Sequence, residues 1–285
     1  MPTFDAPFAT PEPISATAQV DAGSIRFIAT DRVDTVVDVQ PRDPKRNQDV
    51  RVAEQTEVRY ASGLLTIRTP KQRYIIGRTG SVDVTVELPT GSRVDMTGAW
   101  AQVYGEGRLG EVRVKTSSGD VRFDTTGPLH VAASHGSITV DRVEGPAEMA
   151  TSSGSMRIGT IEGAAVLKNS HGSTTVGDAM GDLRVNGSNG DISIERARTS
   201  VTAATANGAV RVGDVSCGTV KLETSHGAIE IGIREGTAAW VDAGSGFGKV
   251  HNALGASDSP DKTEDTVEVR ARTSYGNIDI RRARA

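Results

Sequence analysis

Three of the five histidines in this 285-residue chain stand directly before a glycine: His135, His171 and His226. Other copies of the same position hold Ser118, Ser153, Asn189, Asn207, Phe247 and Tyr275. A row of imidazoles raises the question of a metal, whose ligands must all lie about 2.0–2.1 Å from one ion. One residue earlier runs a serine series, Ser117, Ser134, Ser152, Ser170, Ser188, Ser225 and Ser274, broken by Ala206 and Gly246. A reactive serine needs a base and an oxyanion hole beside it. Carboxylates offer a third chemistry: Asp120 and Asp191 directly follow glycines, and Asp141, Glu195, Glu230 and Asp279 lie a few residues further on. Glycoside cleavage uses two carboxylates about 5–9.5 Å apart.

Whether any of these groups can meet depends on the elements that carry them, and those elements repeat. The glycines are Gly119, Gly136, Gly154, Gly172, Gly190, Gly208, Gly227, Gly248 and Gly276, spaced 17, 18, 18, 18, 18, 19, 21 and 28 residues apart. Ala101 reads as an earlier, degenerate copy. A second series, Gly127, Gly145, Gly163, Gly181, Gly218 and Gly236, runs half a period out of phase, with Thr199 in its gap. The unit is therefore 18 residues in two half-units of about nine. Apolar residues fall two and four places after each glycine: Val121 and Phe123, Ile192 and Ile194, Leu183 and Val185, Ala238 and Trp240. Period two with β-branched residues predicts strands. No segment keeps a capped i, i+3, i+4 pattern, so no helix is expected.

Two strands per unit fit a hairpin meander or one coil of a solenoid. Only the solenoid stacks equivalent positions on one another, which explains why each column keeps one character. The expected fold class is all-β: a β-helix-like solenoid of about ten 18-residue coils with an N-terminal β-rich cap. Residues 1–95 do not keep the repeat and are assigned to that cap, with the charged stretch 41–49 as a connection. Residues 96–285 form the solenoid, its far end closed by the insertion around 252–265 and the last strands 266–280. A thin coil suits the composition of 32 Gly and 4% aromatics: Val, Ile, Leu and Ala fill the slot, large aromatics do not, and glycines supply positive φ at corners.

Stacking disposes of the candidate chemistry. With coils about 4.8 Å apart, His135 and His171 lie about 10 Å from each other, too far to share an ion. A ladder of serines reads as hydroxyls that satisfy backbone groups at a tight corner. Asp120 and Asp191 are four coils apart, and the coil of Gly248 separates Glu230 from Asp279. No catalytic, cofactor-binding or metal residues and no cofactor are expected, and the chain is read as a non-enzyme. Cys217 falls at an overlong half-unit and reads as a turn residue.

The net charge of −4 gives no pull toward nucleic acid or an anionic membrane, and no stretch approaches 18 uninterrupted apolar residues. Arg270, Arg272, Arg281, Arg282 and Arg284 follow a segment that holds Asp258, Asp261, Glu264, Asp265 and Glu268, and either the two segments neutralise each other or the arginines keep the last strand soluble. The opening MPTFDAPFATPEP has no basic or apolar region of a secretory signal, and a lone cysteine suits a reducing compartment, so a cytoplasmic location is expected. The partner is then an unknown protein or a second copy joined end to end. The alternative is a carbohydrate-binding or carbohydrate-active β-helix.

The motifs Ser-Ser-Gly-Asp-Val at 117–121, Ser-His-Gly-Ser-Ile at 134–138 and Ser-Asn-Gly-Asp-Ile at 188–192 resemble a bacterial β-strand-repeat domain of unknown function, often labelled a candidate adhesin. Gly80-Ser81-Val82-Asp83-Val84, Leu88-Pro89-Thr90-Gly91-Ser92 and the segments at 23–25 and 34–39 resemble its lead-in. The resemblance covers nearly the whole chain. It implies a β-helix-like fold of short strands and brings no catalytic residue or cofactor.

Overall fold

The computed structural model describes residues 7–70, 79–255 and 265–283. The chain divides into two compact units, Met1–Glu144 and Gly145–Ala285. Both are built around coils of two strands, and the coil strands pair in parallel with the equivalent strands of neighbouring coils. In the second unit Ala165 pairs with Leu183 and Leu167 with Val185, while on the other side of the coil Thr174 pairs with Ile192 and Val176 with Ile194. In-register parallel stacking is a solenoid; hairpins would pair consecutive strands antiparallel. The apolar columns are closed to solvent, with Val121, Ile138, Val185, Ile192, Val210 and Leu222 at 1% exposure or less.

The interior accepts two large aromatics, although the thin slot was expected to be filled by Val, Ile, Leu and Ala. Phe27 and Phe123 are fully buried. They belong to one column, and the rung between them is Gly105, the register partner of both. A Cβ on Gly105 would press into the Phe123 ring and stand 2.8 Å from Leu109. The vacated side chain makes room for the two rings.

The stacking order departs from the chain order at both ends. In the first unit the coil 15–30 pairs on one side with the coil 93–109 and on the other with strands Leu64–Arg68 and Val82–Pro89. The earliest coil is thus inserted one rung inward. In the second unit the coil 218–233 pairs with the final coil 266–282, and that coil pairs in turn with 238–252. The last strands do not close the end as expected: 238–252 is outermost and the chain returns to slip 266–282 beneath it. Residues 256–264 of the connection lie outside the described set.

Trp240 also departs from its expected place in the core. The register pairs Trp240 with Glu268, while Val241 and Ala243 continue the column of Val269 and Ala271. The register places Ala239, not the assumed Gly236, in the position of Gly218, since both pair with Val267; that is a shift of three residues, and an odd shift moves a side chain to the opposite face.

Within 1–95, ladder strands alternate with antiparallel ones. Asp34–Pro41 pairs antiparallel with Val82–Pro89, Glu57–Ala61 with Leu64–Arg68, and Phe8–Ala9 with Asp34–Pro41. The charged connection runs on into a helix, Asn47–Gln55, which the sequence reading missed. It buries only Asp49, Val52 and Ala53, too few for a periodic signal. Two backbone N–H groups, from Asp43 at 3.1 Å and Ser81 at 3.0 Å, donate to the buried Asp49 carboxylate and tie the helix to the strands.

Candidate functional site

The position before each glycine forms an exposed surface column. In the second unit it reads Ser153, His171, Asn189, Asn207, His226, Tyr275, Phe247. His171 thus sits between Ser153 and Asn189, and His226 between Asn207 and Tyr275. Among the described residues no three His, Cys, Asp or Glu side chains are grouped as a metal site would require. The column bonds along itself instead. Asn207 donates to Asn189 at 2.9 Å. The rings of His226, Tyr275 and Phe247 stack with centroids 4.9 Å apart and planes within 7°.

Most of the serines one place earlier, Ser134, Ser152, Ser188 and Ser225 among them, are exposed. The hydroxyls that serve the corner belong to the residue before them. Thr205, Thr224 and Thr273 each donate to the carbonyl of the glycine one coil away, Gly190 at 3.3 Å, Gly208 at 2.9 Å and Gly227 at 3.0 Å. Asn169 does the same to Gly154 at 3.0 Å. All four donors are buried. The signal was present in the sequence, a Thr or Asn three places before the glycine, but the Ser-His-Gly motif beside it is more conspicuous. Thr224→Val keeps the shape and removes the donor, so it is expected to cost about 1–2 kcal/mol in urea unfolding. Ser225→Ala, on the exposed neighbour, should change little.

The carboxylates are committed too. Asp120 accepts the backbone N–H of Ser137, and Asp191 that of Ala209, each at 2.8 Å, so both fasten one coil to the next. Glu230 and Asp279, expected to be separated by a coil, are direct register partners, because the final coil is inserted between 218–233 and 238–252. The resulting pair is balanced by arginines: Arg211 donates to Glu230 at 3.2 Å, and Arg281 lies 3.7 Å from Glu230 and 3.4 Å from Asp279. The other C-terminal arginines are similarly engaged. Arg270 pairs with Glu268 and Arg272 with Asp242, both at 2.6 Å, and Arg282 donates to the Arg234 and Thr237 carbonyls. Asp258, Asp261, Glu264 and Arg284 lie outside the described residues. Cys217 donates its thiol to the Arg198 carbonyl at 2.9 Å within a turn.

A second ion-pair ladder links Asp178 to Arg196, at 2.6 Å, and Asp214 to Arg234. The hydrogen bond from Arg196 holds the Asp178 carboxyl below its ordinary value of 3.8, against a weaker opposing effect of burial. A depressed carboxyl contributes stability that is complete above its unfolded-state pKa and is lost as pH falls through the folded-state value. Asp178→Asn is therefore expected to flatten the acid limb of the stability profile below about pH 4, and at neutral pH to cost less than about 1 kcal/mol because the pair is solvated. Urea midpoints between pH 2.5 and 7 measure both.

One concavity of the second unit, about 650 Å³, is an open trough floored by small residues, among them Gly187, Ala204, Ala206, Gly244 and Gly246. Its charged members are Glu223 and Arg272, and no aromatic lines it.

The arrangement was compared with known proteins. A search of curated proteins finds no match. Among solved structures, a protein of Clostridium sporogenes labelled a candidate cell adhesion protein aligns at 12% identity, with a TM-score of 0.26 over 97% of this chain and 100% of its own. One of Bacteroides fragilis, labelled a candidate adhesin, aligns at 11% identity, with a TM-score of 0.45 over 96% and 95%. The Toastrack DUF4097 family matches residues 17–281. With its coils, its glycine corners and a family match over nearly its full length, the chain belongs to the Toastrack DUF4097 family, a domain of unknown function.

Proposed function

We propose that the chain is a non-enzymatic interaction module, a β-solenoid scaffold that works in the cytoplasm by presenting its repeated outer columns to a protein partner. The observation that carries this reading is the fate of the reactive residue types. The hydroxyls, amides and carboxylates at the corners bond neighbouring coils, and the charged side chains pair along the ladders. What is left to the outside is a long array of exposed serines, amides and rings suited to surface contact.

Crosslinking in native cells followed by purification tests this. A stoichiometric protein partner, lost when Asn189 and Asn207 are both changed to arginine, supports it. Turnover of a glycan by the purified chain would overturn it. The competing reading, a carbohydrate-active β-helix, is favoured by one finding, the adjacency of Glu230 and Asp279. Their arginine partners weigh against it. That reading requires hits on a glycan array that Glu230→Gln abolishes, and an array without hits would end it.

A further inference from the structure

Among the described residues, the outermost coil of the second unit, 238–252, is an open end. Among the described strands, Ala238–Phe247 pairs only with Thr266–Tyr275, and Val250–Asn252 only with Ile278–Arg282. One row of backbone donors and acceptors therefore faces away from the stack. Natural proteins blunt such an edge with proline, lysine or a covering segment. The strand here reads AAWVDAGSGF, with no proline and no lysine, and its one acid, Asp242, is paired with Arg272.

The side chains agree with the backbone. Trp240 is 57% exposed, Phe247 70% and Val250 44%, and Tyr275 on the adjoining coil 51%. Val250 occupies the column that Ile278 continues at 0% exposure, so the apolar slot itself opens here. Val241 and Ala243 are likewise half-open, where Val269 and Ala271 in the same columns are closed. The ring stack His226, Tyr275, Phe247 ends with Phe247 lacking a further stacked ring among the described residues.

We infer that this end docks against the same end of a second copy of the chain, forming a closed two-fold dimer. The inference rests on the interaction-module reading and names its partner. A surface that presents two strand edges with an apolar slot between them is matched by another coil end; a single extended peptide covers only one edge. The terminal coil of the first unit does not match it, because its strands Leu64–Arg68 and Val82–Pro89 are already edged by antiparallel strands. Like must then meet like, and an isologous contact closes at two. Charge permits it: the coil carries one acid, Asp242, already neutralised by Arg272, and one lysine, Lys249, so two copies do not set a run of like charges against itself.

Sedimentation equilibrium of the full chain over micromolar to millimolar concentrations, together with hydrogen exchange, tests the inference. A monomer–dimer equilibrium is expected, with slowed exchange at 238–252 in the dimer. Trp240→Lys and Phe247→Ser should each weaken it at least tenfold; Trp240→Lys, on an exposed side chain outside the ring stack, should leave thermal unfolding of the monomer unchanged. Trp100→Ser, at an exposed tryptophan of the first unit, should leave the dimer intact. A monomer throughout, a polymer that lengthens with concentration, or a dimer weakened only by Trp100→Ser would each overturn it. If the monomeric chain still captured a heterologous partner, the broader reading would stand and only the self-contact would fall.

Discussion

Replacing Gly190 by alanine is expected to destabilise the protein by about 3–5 kcal/mol, more than most single substitutions produce. Two costs combine at this corner. Gly190 has a φ of 144°, in a region that L side chains rarely enter, which alone costs about 1–3 kcal/mol. A Cβ there would also lie 2.6 Å from the carbonyl carbon of Gly172 and closer still to its oxygen, so the stacked backbones would have to part. That clash cannot be relieved by a rotamer, because the obstacle is main chain fixed on both sides by ladder bonds. Gly236→Ala separates the two costs: its φ is 80°, but nothing lies within 4 Å of the added carbon. It should cost only about 1–2 kcal/mol, the price of the left-handed conformation alone. Gly163→Ala isolates the other cost: its φ lies outside the positive region, yet the new carbon would meet the Gly145 carbonyl carbon at 2.5 Å. Urea midpoints should rank Gly190→Ala lowest. Equal losses at Gly190 and Gly236 would show that the close approach of coils has no energetic weight.

These glycines also mark how far the sequence could be read. The first series was legible in spacing and largely in role, since Gly119, Gly136, Gly154, Gly172, Gly190, Gly208, Gly227 and Gly276 take positive φ, and only Gly248, in the outermost coil, does not. The second was legible in spacing but mixed in role: Gly218 and Gly236 take positive φ, whereas Gly127, Gly163 and Gly181 do not, and their lack of a side chain serves the close stacking of coils. The order of the coils was not legible, for a physical reason. When every column keeps one character, any permutation of coils satisfies the same pattern. His226, Tyr275 and Phe247 share a column in either order. Only the long gaps before Gly248 and Gly276 hinted that the chain leaves the stack and returns. The adjacency of Glu230 and Asp279 followed from that order and was hidden with it. The face of Trp240 turned on an odd, three-residue shift in one turn, which the glycine spacing does not show. The bonding threonines were visible but unranked, because a hydroxyl three places before a glycine looks no more structural than one two places before it until the strand's inside and outside are known.

The order of the coils has a measurable consequence at the C-terminus, where chains are normally most tolerant of change. The final coil 266–282 is paired on both sides, whereas 238–252, earlier in sequence, is paired on one. Ile278 lies between Ile229 and Val250 at 0% exposure, so truncating it leaves a void that touches two neighbouring coils. Ile278→Ala is therefore expected to cost about 3 kcal/mol, near the middle of the range for buried isoleucine truncation. Val250→Ala, in the same column one rung outward, removes a side chain already 44% exposed and should cost less than about 1 kcal/mol. Hydrogen exchange on the monomer should show the same inversion. Amides of Ile278–Arg282 are expected to exchange more slowly than those of Val250–Asn252, since opening the final coil must also release the coil stacked on it, while the outer coil can open alone. A chain that simply frayed from its end would give the reverse order, and that result would mean the last coil is not held between two others in solution.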